Sequence, residues 1–278
     1  MNVDELSTRI ERCAGVPTGE PLPKEAGLAV EELLDALERG EVRAASCDGN
    51  DWRAVPWVKR GILLGFRVGK LAESGETLHF VDKDTYPPRR FRATDNVRIV
   101  PGGSSVRRGA FVAPGVVCMP PMYVNVGAHI GSGTMIDSHA LVGSCAQIGE
   151  RVHVSAAAQI GGVLEPVNAA PVVIEDDVLV GGNCGVYEGT IVRRGAVLAA
   201  GAVLTRGTPV FDLVRETIYR ASPERPLEIP ENAVVVPGAR AVASGWGAAQ
   251  HLSLHAPIIV KYRDEKTDLA TTLESWLR

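Results

Sequence analysis

An aliphatic residue recurs at every sixth position over a long central stretch of the chain, with one cysteine standing in. Neither the helical period of 3.6 nor the strand period of 2 produces this spacing. A strict hexapeptide repeat is typical of a parallel β-helix, in which three short strands make one triangular coil and coils stack about 4.8 Å apart. Two series carry the repeat: Val106, Val112, Cys118, Val124, Ile130, Ile136, Val142, Ile148, Val154 and Ile160, then Ile174, Val180, Val186, Val192, Leu198 and Leu204.

Glycines surround the repeat, and we expect them at tight corners because glycine adopts φ > 0 easily. They are Gly127, Gly131, Gly133, Gly143, Gly149 and Gly181. The two series are out of step, since Ile160 and Ile174 are fourteen residues apart, two more than two hexads need. The intervening residues contain two prolines and a glycine pair, which predicts a loop thrown outward from the wall. Such loops often carry binding or catalytic residues, although a surface insertion without function is an alternative.

The flanking segments lack the repeat. Residues 24–39 predict a helix that Gly40 ends, with leucines on roughly one face: Leu28, Leu33, Leu34 and Leu37. The sequence also predicts a strand over 61–68 and a terminal helix over 266–278, and it has short apolar runs over 233–237 and 256–260. Because a prism has open ends with unpaired edges, we expect these segments to cap it.

These patterns divide the chain into three parts and predict a mainly β protein. We expect an N-terminal α/β domain over 1–97, the β-helix over 98–214 and a small C-terminal β/α extension over 215–278. The sixteen hexads correspond to between five and six coils.

Composition narrows the class of protein. The chain has 278 residues, of which 45% are hydrophobic and only 5% aromatic, as a narrow aliphatic prism requires. Thirty glycines and eighteen prolines fit a turn-rich solenoid, because the apolar fraction is too high for a disordered chain. A net charge of −4 without a basic cluster argues against nucleic acid as a partner.

Neither the cysteines nor the apolar runs indicate export or a membrane. Five scattered cysteines without a CxxC pair indicate reduced thiols and a cytoplasmic protein. No N-terminal run resembles a signal peptide, and the sequence has no stretch of about eighteen apolar residues that could span a bilayer.

Candidate chemistry is concentrated in the repeat and its loop. Asp137 follows the inward Ile136, so its carboxylate points outward, and Glu165 lies in the excursion. Glu188 lies on the Val186 hexad. For each of these acids taken alone, an ordinary solvated surface position is the simpler interpretation.

Metal and thiol chemistry are weaker hypotheses. His129 and His153 are four hexads apart, so they should lie on different faces of the prism, which argues against a zinc site. Cys145 has no evident base beside it and fits a packing role.

Several runs resemble the tetrahydrodipicolinate N-succinyltransferase family. In the prism they are VGSCAQIG (142–149), IGGVLEP (160–166) and IED (174–176); outside it they are WVKRGILLGFR (57–67) and IIVK (258–261). The resemblance covers nearly the whole chain. It implies that the β-helix is left-handed, whereas the general crossover rule would favour the opposite hand.

The resemblance also implies an activity and an assembly. The substrate would be tetrahydrodipicolinate in its ring-opened or hydrated form, and its amine would attack the thioester of succinyl-CoA. Succinyl-CoA would be a cosubstrate and not a resident cofactor. The reaction would belong to lysine and diaminopimelate synthesis. By resemblance, Asp137 would be the base and a substrate ligand, and Arg98 would bind a substrate carboxylate. Glu165 and Glu188 are further candidate acceptor ligands. Three prisms would form a homotrimer with active sites in the grooves between them.

Two departures from the family pattern concern the mechanism. Ser138-His139 stands where many members have Thr-Trp, and Gly185 stands where some members have a second functional glutamate. His139 is therefore a candidate auxiliary base, Glu188 could replace the missing acid, or Asp137 could suffice alone; a surface role for His139 is the alternative.

The acyl donor is less well specified by the sequence. The chain has no GxxxxGK[ST] run, so we expect CoA to lie along the C-terminal coils instead of in a phosphate loop. Candidate contacts are Ala200, Gly201, Arg206 and Lys261, with Arg263 as a further cation. Acetyl-CoA as donor, a specialised-metabolite acceptor and a non-catalytic scaffold remain alternatives.

Overall fold

The computed structural model describes residues 2–74 and 80–263, and its N-terminal part is built on three helices. Helices α1, α2 and α3 pack around a shared apolar core that includes Leu6, Ile10 and Leu33. The elements of this part are α1 (Val3–Ala14), α2 (Ala26–Glu38), β1 (Ala45–Asp48), β2 (Asp51–Ala54), α3 (Pro56–Val68), β3 (Leu71–Ser74), β4 (Phe80–Lys83) and a 3₁₀ helix (Ala93–Asp95). Strands β1 and β2 form one antiparallel hairpin, and β3 and β4 form another.

The strand predicted over 61–68 is wrong, because these residues belong to helix α3. Pro56 begins the helix, a position where its missing N–H costs nothing. Gly61 and Gly65 lie one turn apart on a closely packed face. A Cβ at Gly61 would lie 2.2 Å from Leu33 Cδ2, and one at Gly65 would lie 2.1 Å from the Tyr86 hydroxyl. Packing thus explains two glycines that made the segment resemble a strand.

Helix α2 confirms the predicted helix over 24–39 to within two residues at its start and one at its end. Leu33, Leu34 and Leu37 are buried as predicted. Leu28 is 64% exposed, so its predicted place on the apolar face is wrong.

Seventeen two-residue strands make the regular part of the prism, and its walls are three parallel sheets. They are β5 (Arg98–Ile99), β6 (Ser105–Val106), β7 (Phe111–Val112), β8 (Val117–Cys118), β9 (Tyr123–Val124), β10 (His129–Ile130), β11 (Met135–Ile136), β12 (Leu141–Val142), β13 (Gln147–Ile148), β14 (His153–Val154), β15 (Gln159–Ile160), β16 (Val173–Ile174), β17 (Leu179–Val180), β18 (Gly185–Val186), β19 (Ile191–Val192), β20 (Val197–Leu198) and β21 (Val203–Leu204).

Successive strands take the three walls in turn. Sheet 1 contains β5, β8, β11, β14, β17 and β20; sheet 2 contains β6, β9, β12, β15, β18 and β21; sheet 3 contains β7, β10, β13, β16 and β19. The second residue of every repeat strand after β5 is one of the predicted inward positions, and all sixteen are buried. The predicted left-handed parallel β-helix is therefore confirmed.

The glycines around the repeat serve two different purposes. Gly127 and Gly133 have φ of 74° and 67°, as predicted for corners. The prediction of positive φ is wrong for Gly131, Gly143, Gly149 and Gly181. At Gly131, a Cβ would lie 2.5 Å from the backbone of Gly149 in the next coil. Close stacking of coils therefore explains the absence of a side chain there.

Two strands beyond residue 214 continue the walls. The C-terminal elements are β22 (Val210–Asp212), β23 (Thr217–Tyr219), β24 (Glu228–Ile229), β25 (Ala233–Val236), β26 (Ala239–Ala241), α4 (Gly245–Ala249), β27 (Ser253–His255) and β28 (Ile258–Tyr262). Strand β24 adds to sheet 3 and β25 to sheet 1, both in parallel register. Strand β28 then pairs antiparallel with β25, and β22 and β23 extend the same sheet beyond β28.

The apolar runs over 233–237 and 256–260 contribute to β25 and β28. The predicted terminal helix over 266–278 lies outside the described residues. In the portion of the chain that the structure describes, no helix has the length and apolar character needed to cross a bilayer.

Candidate active site

Two edges of the prism carry the acidic residues that the sequence singled out. We call the corners leading from sheet 1 to sheet 2 the Asp137 edge, and those from sheet 2 to sheet 3 the Glu188 edge. Asp137 follows β11 and so lies on the first edge, whereas Glu165 and Glu188 follow β15 and β18 and lie on the second. A single prism therefore does not bring the three acids together.

On the Asp137 edge, the carboxylate is held at one oxygen and faces an imidazole at the other. Its Oδ1 accepts a hydrogen bond from the Ser138 N–H at 2.7 Å. Its Oδ2 lies 3.8 Å from His153 Nε2, and the two side chains are 30% and 12% exposed. The pair is therefore partly enclosed and still open to a ligand on one side.

His153, and not the predicted His139, is the imidazole beside Asp137. His139 is exposed, has φ of 62° and forms no ion pair within residues 2–74 and 80–263. One coil takes eighteen residues, which sets His153 directly over Met135 in sheet 1, diagonal to Asp137. The eighteen-residue coil period is visible in the sequence and is sufficient to predict that His153 lies near Asp137.

Arg98 lies on the same wall as the strand that leads to Asp137. It is exposed on β5, where it pairs with Val117, and Val117 pairs with Met135 of β11. Strand β5, which carries Arg98, and strand β11, which leads to Asp137, are therefore two strand spacings apart, roughly 10 Å along the prism axis. Arg98 thus lies on sheet 1, and Asp137 lies at the corner where the chain leaves that sheet.

The predicted CoA contacts are divided by the fold. The corner with Ala200 and Gly201 lies on the Asp137 edge, three coils beyond Asp137 and thus roughly 14 Å away. Lys261 lies on β28, opposite Val234 of sheet 1. Arg206, by contrast, lies on the Glu188 edge. Its guanidinium donates to the carbonyls of Ser222 and Pro223, at 2.5 and 3.2 Å.

A cleft of about 990 Å³ runs along the Glu188 edge and contains Glu165, Glu188 and Arg206. Glu188 Oε2 accepts a hydrogen bond from the Arg206 N–H at 2.9 Å, so the acid and the next corner are joined. Trp52 and Arg53 from the β1–β2 hairpin also line the cleft. The predicted outward loop is confirmed and forms one wall of it.

A buried lysine anchors that loop to the N-terminal helices. Lys59 of α3 is 0% exposed, and its Nζ donates to the Ala169 carbonyl at 2.6 Å. Burial lowers the pKa of this ammonium. Leu164 packs against the helical core beside it. The loop that carries Glu165 is therefore fixed at two points near its middle.

The Tyr187 ring packs against Gly185, the position where the resemblance implies a second functional glutamate in some members. A Cβ at Gly185 would lie 2.5 Å from the Tyr187 ring. The tyrosine also lines the cleft with Glu188. Tyr187 is not evident from the sequence pattern, because its ring folds back over a residue two positions earlier.

The remaining histidine and cysteine do not form a catalytic pair. His129 lies on sheet 3 and His153 on sheet 1, so the prediction of different faces is confirmed. The His129 ring stacks on Phe111 at 4.3 Å, and burial lowers its pKa to about 3. Cys145 is fully buried, which raises its pKa to about 12 and confirms a packing role. Within residues 2–74 and 80–263, no group of three His, Cys, Asp or Glu side chains could hold a metal ion.

Two family models match the chain. The one described as "Tetrahydrodipicolinate N-succinyltransferase N-terminal" matches residues 17–68, the segment that contains α2 and α3. The one described as "Hexapeptide repeat of succinyl-transferase" matches residues 171–206 of the prism.

Curated relatives extend the similarity over nearly the whole chain. A 2,3,4,5-tetrahydropyridine-2,6-dicarboxylate N-succinyltransferase from Idiomarina loihiensis is 42% identical over 257 residues, 90% of this chain and 88% of the relative. A protein of the same name from Paramagnetospirillum magneticum is 42% identical over 258 residues, 90% and 89% of the two chains. With this identity, the matching models and the confirmed prism, the chain belongs to the tetrahydrodipicolinate N-succinyltransferase family.

Proposed function

We propose that this protein transfers the succinyl group of succinyl-CoA to the amine of tetrahydrodipicolinate, in its ring-opened or hydrated amino dicarboxylate form. The single observation that carries the assignment is the similarity to named N-succinyltransferases over 90% of the chain. The geometry agrees with it, because one prism edge presents a partly enclosed carboxylate and a run of small residues farther along.

The chemistry assigned to the Asp137 edge is a single acyl transfer. The acceptor amine attacks the thioester carbonyl, a C–N bond forms, the C–S bond breaks, and CoA leaves as the thiol. Asp137 takes the proton that the amine loses and passes it to the leaving sulfur, and His153, 3.8 Å away, orients and stabilises the carboxylate. Arg98 pairs with an acceptor carboxylate through its planar guanidinium fork.

The donor lies along the same edge in this proposal. The corner formed by Ala199, Ala200 and Gly201 offers a surface without bulky side chains, against which an extended thioester arm can pack. Lys261 is the proposed contact for the CoA phosphates beyond the end of sheet 1. Arg206 is not part of this donor site on the same chain, because it lies on the other edge.

A homotrimer completes the proposed acceptor site. One side of the prism is six residues long, at most roughly 20 Å, which is too wide for one small dicarboxylate to bridge. Asp137 and the Glu165–Glu188 cleft lie on different edges, so packing of prisms around a threefold axis is the arrangement that lets one chain's acid face another chain's cleft.

Thiol release tests the proposal directly. Purified protein is given tetrahydrodipicolinate with succinyl-CoA or with acetyl-CoA, free thiol is followed by a colorimetric reagent, and the product mass is determined. Reactions without acceptor give the background hydrolysis. We expect acceptor-dependent release with succinyl-CoA; faster turnover of acetyl-CoA would assign a different donor, and no release from either would favour a scaffold.

A further inference from the structure

A second and smaller cleft lies on sheet 3, beneath the β1–β2 hairpin. Its volume is about 250 Å³, and its charged and polar lining includes Arg43, Gln147, Asp176 and Glu231. Apart from Trp52, none of its lining residues also lines the cleft on the Glu188 edge. It is therefore a separate space that shares one aromatic wall with the proposed acceptor site.

Arg43 is held in a fixed orientation at this cleft. Its Nε donates to Gln147 Oε1 at 2.9 Å, and its guanidinium lies 5.5 Å from the centre of the Trp52 ring. Gln147 is only 1% exposed, and its Nε2 donates to the Cys145 carbonyl at 2.8 Å. The glutamine is thus anchored to the prism backbone and points its oxygen at the arginine.

The terminal nitrogens of this guanidinium remain available. Among the described residues, Arg43 has no carboxylate within 4.0 Å and no hydrogen bond besides the one at Nε. Burial lowers its pKa, although an arginine stays charged. A partly buried charge without a direct ion pair is costly to maintain. Such a preorganised fork suits a ligand carboxylate.

The acids around the cleft differ in how far they are neutralised. Glu175 accepts from Trp52 Nε1 and Arg193, and Asp176 accepts from the Glu150 N–H and lies 3.5 Å from Arg194. Glu231 is exposed and forms no ion pair with any described residue. The cleft therefore offers one cation and one anion that form no ion pair with any described residue, Arg43 and Glu231, while Asp176 attracts Arg43 only from a longer distance.

We propose that this cleft binds a small zwitterionic amino acid. Its carboxylate pairs with the Arg43 guanidinium, its ammonium faces Glu231, and its side chain packs against Trp52. At ~30 Å³ per water-sized group, the volume accommodates roughly eight non-hydrogen atoms, which is the size of a short aliphatic amino acid.

The shared Trp52 makes the site regulatory. A ligand packed on one face of this side chain restricts the β1–β2 hairpin, whose Trp52 and Arg53 also line the cleft with Glu165 and Glu188. Ligand binding therefore changes the affinity for the acceptor, and the acceptor changes the affinity for the ligand by the same factor. This coupling rests on the proposed function, whereas binding itself does not.

Calorimetry with the wild-type protein and no substrate tests binding. The probes are L-valine, 3-methylbutanoate, which lacks the ammonium, and isobutylamine, which lacks the carboxylate. We expect L-valine to bind at least tenfold more tightly than either partial analogue. Arg43→Gln should weaken L-valine at least tenfold, and Glu231→Gln at least threefold without changing 3-methylbutanoate. Arg240→Gln, an exposed arginine in β26, is the matched control and should change nothing.

The outcomes separate this proposal from the proposed function. No heat with L-valine up to millimolar concentration, or equal binding to the Arg43→Gln and wild-type proteins, would overturn the site. Because Glu231 is exposed, its variant keeps the test sharp if Arg43→Gln does not fold. In an active enzyme, L-valine should shift the acceptor KM at least twofold; binding without any shift would retain the site and remove the coupling.

Discussion

The carboxylate of Asp137 is the group that the proposed chemistry depends on most. Asp137→Asn keeps the shape of the side chain and can still accept the Ser138 N–H bond, but it cannot take a proton. We expect kcat to fall by about 10²–10⁴-fold, the usual contribution of a general base, while the fold and the thioester affinity persist. Steady-state kinetics measure kcat and the thioester KM, and thermal unfolding measures whether the fold persists. A variant with wild-type kcat would remove Asp137 from the mechanism and return attention to His139.

The two nearby histidines provide a discriminating pair. His153→Gln removes the ring that lies 3.8 Å from Asp137 and should lower kcat by about tenfold, which corresponds to a loss of about 1.4 kcal/mol of transition-state stabilisation. His139→Gln changes an exposed ring and should leave kcat within twofold. The pH profiles of both variants are compared with that of the wild type. The reverse ranking would make the exposed histidine the auxiliary base.

Arg98 tests whether the acceptor reaches the same face. Arg98→Lys keeps the charge but loses the two-pronged contact with a carboxylate, so the KM for tetrahydrodipicolinate should rise while the thioester KM stays constant. We expect this KM to rise about tenfold. The control is Arg90→Lys, on the segment preceding β5, which should leave both KM values unchanged. A rise in the thioester KM instead would place Arg98 in the donor site.

At the residue scale, the direction of a side chain in the repeat was easier to predict from the sequence than the side chains that it contacts. The hexad that places Asp137 outward follows from spacing alone, because every sixth residue faces the core. Its neighbour His153 depends on the eighteen-residue coil, which the sequence analysis applied to rule out zinc but not to pair residues across coils. Tyr187 was missed for a different reason: its ring direction over Gly185 is a packing outcome that no periodicity encodes.

At the scale of elements, the loop over 161–172 depends on an anchor from another part of the chain. Lys59→Met removes the ammonium that donates to the Ala169 carbonyl but preserves most of the buried volume. A hydrogen bond from a charged donor contributes about 1.5–3 kcal/mol, so amide exchange over residues 163–170 should accelerate about tenfold or more. Hydrogen-exchange mass spectrometry measures it. The partly exposed neighbour Arg60, as Arg60→Met, is the control, and equal exchange in the two variants would show that Lys59 does not hold the loop.

Elements with a strict internal period were predictable, and elements shaped by neighbouring segments were not. The prism follows from repetition, because each coil buries the same kind of residue against the next one. Helix α3 did not follow, since Gly61 and Gly65 weaken helix propensity and are explained only by Leu33 and Tyr86 packed against them. The continuation of the walls by β24 and β25 was equally hidden, because residues 205–227 interrupt the count between strands.

The whole molecule is expected to be a trimer of prisms. Light scattering at micromolar concentration should give about three times the 29.5 kDa of one chain, and a stable monomer would contradict the arrangement. Mass alone does not say which edges meet, however. That question decides whether the acids of one chain or of two chains surround each acceptor.

Mixed trimers answer it, because Asp137 and Glu165 lie on different edges of each prism. Asp137→Asn and Glu165→Gln variants, each with low activity alone, are co-expressed with different tags and the doubly tagged trimers are isolated. If each site takes its Asp137 from one chain and its Glu165 from the next, every doubly tagged trimer has both acids intact in one of its three sites, so about one third of the wild-type activity should return. Co-expressing Asp137→Asn with an Asp137→Asn, Glu165→Gln double variant is the control and should restore nothing. Activity in the mixed trimers that equals the mean of the two parents would place both acids in the site of a single chain.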